Sequence, residues 1–183
     1  MAKRRAQWHA QFDNVPSGRL VFIDESGVNT KMTRSRGRAL GGLRLLAHAP
    51  HGHYHTNTLI AAIRLDGPFA PCLFDGPMDG ELFLTWVCQQ LAPCLREGDI
   101  AIIDNLATHN VSGVRQAIES AGASLLYLPA YSPDFNPIEP MWGKIKACMR
   151  GLGPRTEEEL FAAFAHAIET VTPSDCKSFF SHA

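Results

Sequence analysis

Two short runs in this chain are wholly apolar, and each stops at an aspartate: Leu20 to Ile23 before Asp24, and Ile100 to Ile103 before Asp104. A half-exposed strand alternates polar and apolar residues, so an unbroken apolar run of this length reads as a strand buried on both faces, as in the parallel sheet of a layered α/β domain. A carboxylate at the end of such a strand costs several kcal/mol to desolvate unless something compensates its charge. Two of them point to a cation. In an open sheet, ligands gather beyond the carboxyl ends of the parallel strands, so neighbouring strands would turn Asp24 and Asp104 toward one site.

The remaining pattern supplies the layers. His53 to Leu65 predicts a second strand, with a turn at Asp66-Gly67-Pro68 and a third strand around Cys72 to Phe74, an antiparallel meander. Asp79 caps a helix with Leu82, Phe83, Trp86, Val87, Leu91 and Leu95 at helical spacing, ended by Glu97-Gly98. After Asp104, a helix with Val111, Val114, Ile118 and Ala121 on one stripe closes at Gly122 and leads to a fifth strand, Ser124 to Leu128. Thr156 and Glu159 form a capping box for a helix carrying Leu160, Phe161, Phe164, Ile168 and Val171, and Thr172-Pro173 opens a last short helix. Residues 1–18 read as a basic linker or stub, and residues 19–183 as one α/β domain, a mixed five-stranded sheet flanked by helices.

Between the fifth strand and the next helix, Pro129, Pro133 and Pro137 stiffen a loop that delivers Glu139 to the helix start. Glu139 is therefore a third candidate ligand beside Asp24 and Asp104. An all-carboxylate set suits hard cations such as Mg²⁺ or Mn²⁺ rather than zinc. Two such ions would activate the attacking oxygen and stabilise the leaving one in a displacement at phosphorus.

The fragments Phe22-Ile23-Asp24-Glu25-Ser26-Gly27, Ile103-Asp104-Asn105-Leu106-Ala107-Thr108-His109 and Tyr131-Ser132-Pro133-Asp134-Phe135-Asn136-Pro137-Ile138-Glu139 closely resemble the bacterial insertion-sequence branch of the mariner-type DDE transposases. The 34 residues between Asp104 and Glu139 match that family's spacing, and the resemblance covers roughly residues 19–171. It implies an RNase H-like fold, with Asp24, Asp104 and Glu139 as catalytic and metal-binding residues holding two Mg²⁺ or Mn²⁺ ions. It also implies DNA strand cleavage and strand transfer at transposon ends, by a homo-oligomer when active. Full-length relatives carry helix-turn-helix segments upstream, so an upstream DNA-binding segment or partner chain is expected, with Lys3-Arg4-Arg5 as its remnant. Another RNase H-like nuclease, or an inactive remnant that binds DNA or dimerises, are the competing readings.

The formal net charge of -1 means that any DNA surface is local. Lys31, Arg34, Arg36 and Arg38 form a run without acids, whose i, i+2, i+4 spacing would align the three arginines on one strand face. Lys146 and Arg150 fall near the helix face that bears Glu139. His109 is a candidate accessory residue that touches a phosphate or orients a ligand. Glu25 would point away from Asp24 and is read as structural, as is Asp134 in its turn. Trp142, Ile145 and Met149 read as core. His48, His51, His53 and His55 match no common zinc spacing and read as a solvated loop. Five widely spaced cysteines without a C-x-x-C pair suit a reducing compartment, and no stretch approaches a membrane span of about 18 apolar residues, so a soluble cytoplasmic protein is expected.

Overall fold

The computed structural model describes residues 8, 15–34, 36–46, 48, 50–51, 54–129 and 133–181. Five strands form one sheet in the order β3-β2-β1-β4-β5: β1 (Leu20–Asn29), β2 (Thr56–Arg64), β3 (Gly67–Asp75), β4 (Ile100–Ile103) and β5 (Ser124–Tyr127). β1, β2 and β3 pair as an antiparallel meander, whereas β1 with β4 and β4 with β5 are parallel. The helices are α1 (Gly80–Trp86), α2 (Val114–Ser120), α3 (Ile138–Leu152), α4 (Glu157–Glu169) and α5 (Pro173–Ser181).

The apolar runs do what their composition demands. Val21 and Ile23 pack with Phe83, Trp86, Leu91, Val114 and Ile118 on one face of the sheet. Phe22 packs on the other with Met141, Trp142, Ile145, Leu160 and Phe164. Alternate residues of β1 thus feed two separate cores, one under α1 and α2 and one under α3, α4 and α5.

Several features differ from the sequence expectation, among them β3, which starts at Gly67 inside the expected turn. β1 does not stop at Asp24 but continues to Asn29, paired with β2 as far as Asn29↔Thr56, while its pairing with β4 ends at Phe22↔Ile102. The polar residues Glu25, Ser26 and Gly27 are tolerated because one side of β1 is no longer covered there. The helix after Asp79 gives way to a π turn at Val87–Leu91 and a 3-10 turn at Ala92–Cys94, because Pro93 has no N–H to continue the α pattern. Phe161 does not join the core but is 62% exposed, and Ala163 and Ala167 lie against the sheet beside Leu160 and Phe164.

The expected local signals are present elsewhere. Asp79 accepts from the Leu82 N–H at 2.8 Å, and Thr156 and Glu159 form both halves of the capping box. β2 and β3 shift register between Ile60 and Ala62, where Ala70 takes a left-handed φ of 49°; the Trp86 indole donates to its carbonyl at 3.0 Å. Of the segment read as a stub, Trp8 is buried in the core under α3. All five cysteines are free thiols. No described helix is long and apolar enough to cross a membrane.

Candidate active site

The register of β1 and β4 sets the site. Phe22 pairs with Ile102, which brings Asp24, two residues further along β1, beside Asp104, the residue that follows the end of β4, at the sheet's carboxyl end. Adjacent strands lie about 4.8 Å apart, so the two acids are neighbours although 79 residues separate them in the chain. α3 crosses the face of the sheet that Phe22 and Asp24 share, with Ile138, Met141, Trp142 and Ile145 buried against it. The proline-stiffened loop ends in a 3-10 turn at Pro133–Phe135, and Glu139, itself exposed, follows in the first turn of α3. Residues 130–132 of that loop lie outside the described residues.

Electrostatics tie the three acids together. Burial pushes the Asp24 carboxyl up to about 7, the backbone N–H of Glu25 pulls it down, and the negative charges of Glu139 and Asp104 add to the rise. The Trp142 indole, read from sequence as core alone, also donates to Asp24 Oδ2 at 3.2 Å. Asp104 Oδ1 is buried and receives no aligned hydrogen bond. A half-buried centre of three carboxylates fits a hard divalent cation.

His109 closes the site from the opposite layer. It is 1% exposed, its ring lies 4.5 Å from that of Phe83, and its Nε2 is 3.0 Å from Glu25 Oε1. Its Nδ1 stands 2.5 Å from Asp104 Oδ1 and 3.4 Å from the Asp104 carbonyl oxygen, so the imidazole meets the charge of that buried carboxylate oxygen. Burial works against its charge, but the two carboxylates outweigh burial and push the imidazole up to about 9, so it is an imidazolium at neutral pH. Glu25 does face away from Asp24, and its partner there is this histidine.

The basic residues fall into two groups. Lys146 lies close enough to Glu139 and Asp24 to feel both, and close to Arg150; burial and Arg150 together lower its ammonium pKa. The Arg34 guanidinium rests against Gly151 near the end of α3, where a methyl group would meet its Nη2 at 3.1 Å. Lys31 lies over the Tyr54 ring at 4.7 Å. The alternation expected for Arg34, Arg36 and Arg38 does not arise, because no strand forms over the described residues 31–39; Arg36 and Arg38 are exposed.

Histidines 48, 51 and 55 are exposed, as expected, and His53 lies outside the described residues. His55 nevertheless meets Asp75 and Glu157 with all ligand atoms within 4.8 Å. That group sits six residues along β2 from Ala61, the partner of Asp24, or about 20 Å away by strand rise. The acids at the candidate centre are spread more widely and open to solvent at Glu139.

The family model described as DDE superfamily endonuclease matches residues 19–160. No curated protein matches the sequence. The fold resembles that of the Mos1 transposase paired-end complex with left transposon end, at TM-score 0.72 and 14% identity, covering 96% of this chain and 55% of that one. The Mos1 mariner paired end complex with Mn gives TM-score 0.72 at 14% identity, covering 97% and 56%. The catalytic domain of Mos1 mariner transposase gives TM-score 0.70 at 14% identity, covering 96% and 82%. The likeness establishes the RNase H-like architecture, and the chain spans a little over half the length of the Mos1 chains in the complexes.

Proposed function

Because this chain belongs to the DDE superfamily endonucleases, we propose that it is the catalytic domain of a mariner-type DNA transposase of the insertion-sequence branch. One observation carries the reading: Asp24 on β1 and Asp104 just past the end of β4 lie side by side under the first turn of α3, which holds Glu139, and the Glu139 and Asp104 carboxylates both raise the pKa of Asp24. In this reading residues 19–183 are the catalytic domain, residues 1–18 a basic stub whose Trp8 packs into that domain's core, and the protein acts in the cytoplasm as a homo-oligomer with an upstream helix-turn-helix segment or chain.

Asp24, Asp104 and Glu139 would hold two Mg²⁺ or Mn²⁺ ions, which supply Lewis acidity to the attacking and leaving oxygens at phosphorus. The protein's own part is orientation and charge. His109, fixed between Glu25 and Asp104, holds the Asp104 carboxylate in place. Lys146 and Arg150 bind the phosphate backbone beside Glu139, and Lys31, Arg34, Arg36 and Arg38 contact it further out. The same centre serves both displacements: water cuts a strand at the transposon end, and the freed 3′ hydroxyl then attacks target DNA.

The test uses two substrates in Mn²⁺, a supercoiled plasmid and a labelled duplex with a free 3′ hydroxyl carrying the element's ends. Nicking of the plasmid and covalent joining of the duplex to it, both lost in Asp104→Asn, are the expected result. Nicking without joining points to an RNase H-like hydrolase, and equal activity in Asp104→Asn removes this centre from the reaction.

A further inference from the structure

We infer that Trp142 is a positioning residue for Asp24, so that the helix carrying Glu139 also sets the orientation of the carboxylate across from it. The inference rests on the metal-binding reading of Asp24. Trp142 is 2% exposed, and its side chain belongs to the apolar cluster with Met141 and Ile145. A buried indole carries one donor and no acceptor, and leaving that donor unpaired is costly. Here it is satisfied by Asp24 Oδ2 at 3.2 Å, across 118 residues of sequence.

The terminal torsion of an aspartate is broad and roughly two-fold, so packing alone leaves the carboxylate plane poorly fixed. Asp24 lies where β4 no longer pairs with β1, and the strand on that side gives it no wall. The Glu25 backbone N–H already holds the carboxylate from its own strand, and a donor approaching Oδ2 from a rigid helix adds a second constraint from outside the sheet. Trp142 follows Glu139 by three residues, so ligand and orienting donor stand about one turn apart on α3, and any shift of that helix moves both together. The layer below does the same for the other aspartate through His109. The two acids are thus gripped from opposite faces of the sheet.

The experiment measures Mn²⁺ affinity in the absence of DNA, by the electron paramagnetic resonance signal of free Mn²⁺, with thermal melting of the metal-free chain alongside. Trp142→Phe keeps an aromatic ring in the core and deletes the N–H. Benzothienylalanine at position 142 keeps the two-ring shape and also lacks the N–H, which covers the case in which the phenylalanine variant packs poorly. Loss of an outer hydrogen bond to a metal ligand typically weakens metal binding by about 10–100-fold. A loss of that size in both variants, with the benzothienylalanine protein melting as the parent does, is the expected result. Parent-like Mn²⁺ affinity in the benzothienylalanine protein overturns the inference alone. Failure of the parent itself to bind Mn²⁺ overturns both the inference and the metal-binding reading beneath it.

Discussion

Glu25 Oε1 lies 3.0 Å from Nε2 of the buried His109, and through that imidazole a residue of β1 is linked to Asp104 at the end of β4. The ring cannot leave without stripping two carboxylates of their shared positive partner. Because Asp24 and Glu25 are adjacent in an extended strand, one serves the face under α3 and the other the face under α1. One dipeptide thereby reaches both layers of the site.

Replacing Glu25 by Gln keeps the shape of that contact and deletes its charge. The His109 imidazole, held up to about 9 in the parent with Asp104 and Glu25 as the raising partners, should then titrate closer to 6.5. Because the charged form is the one stabilised, the contribution is complete below 6.5 and is lost as the pH rises through about 9. Glu25→Gln should cost about 1–3 kcal/mol of unfolding free energy at pH 6 and much less at pH 10. Ring NMR titration and urea denaturation check both; an unmoved imidazole would mean that Asp104 alone holds it.

Asp24 should behave in the opposite sense to an ordinary surface aspartate. Its carboxyl titrates near 7 rather than 3.8, chiefly through burial, so its own contribution to the stability of the metal-free fold is greatest below 3.8 and is lost as the pH rises through about 7. Asp24→Asn should therefore stabilise the metal-free chain at pH 8 by an amount on the order of 3 kcal/mol, and the gain should vanish near pH 4. The same variant should lose the Mn²⁺-induced rise in melting temperature that the parent shows. A metal-free variant at pH 8 that melts below the parent would contradict this account of the site.

The parts of this architecture that could be read from the chain are those in which one residue's surroundings follow from its neighbours. Leu20 to Ile23 and Ile100 to Ile103 announce strands buried on both faces, and Thr156 with Glu159 announces a helix start, because burial and capping are local patterns. Glu25 and His109 stand 84 residues apart and Asp24 and Trp142 118 apart, so nothing in their own windows pairs them. Parity did place Glu25 opposite Asp24, but not its partner. Trp142 shares the apolar stripe of α3, which hides its one polar atom. The continuation of β1 to Asn29 was masked because Glu25-Ser26-Gly27 has the composition of a turn, and only pairing with β2 makes it a strand.

Away from the site, Arg64 and Asp99 form a buried pair at 2.6 Å, with side chains 5% and 2% exposed. Asp99 also accepts from the Arg96 N–H at 2.8 Å, whereas Arg64 Nε has no hydrogen-bond partner. Removing the acid leaves a buried guanidinium with one neutral acceptor, the Cys94 carbonyl at 3.1 Å, for its five donors, but removing the arginine leaves an aspartate that still accepts from the Arg96 N–H. Asp99→Ala should thus cost about 3–5 kcal/mol, and Arg64→Met clearly less, even though it also gives up the guanidinium that lies over the Phe69 ring at 4.2 Å. Denaturant midpoints of the two variants give the comparison, and a reversed order would refute it.

The last prediction concerns where DNA meets a chain whose formal net charge is -1. With so little overall attraction, affinity has to come from local phosphate contacts, each of which releases condensed counterions and adds about 0.9 to the salt slope on duplex DNA. Lys146 and Arg150 stand on α3 two and three turns beyond Glu139, and Lys146 is close enough to feel both Glu139 and Asp24. Arg36 and Arg38 are exposed in the segment between β1 and β2. Changing either pair to Gln should weaken binding to all sequences alike and lower the slope by up to about 2. Glutamine is the right replacement, because a new acid beside Glu139 would disturb the metal-binding centre and confound the result. The pairs should differ in chemistry: with DNA added to saturation, Lys146→Gln/Arg150→Gln should still nick plasmid DNA more slowly, whereas Arg36→Gln/Arg38→Gln should nick at the parent rate. Fluorescence anisotropy across a salt series gives the slopes, and nicking at saturating DNA gives the second comparison. An unchanged slope in the α3 pair would place the DNA path elsewhere, and equal nicking by both double variants would strip Lys146 and Arg150 of any role beyond binding.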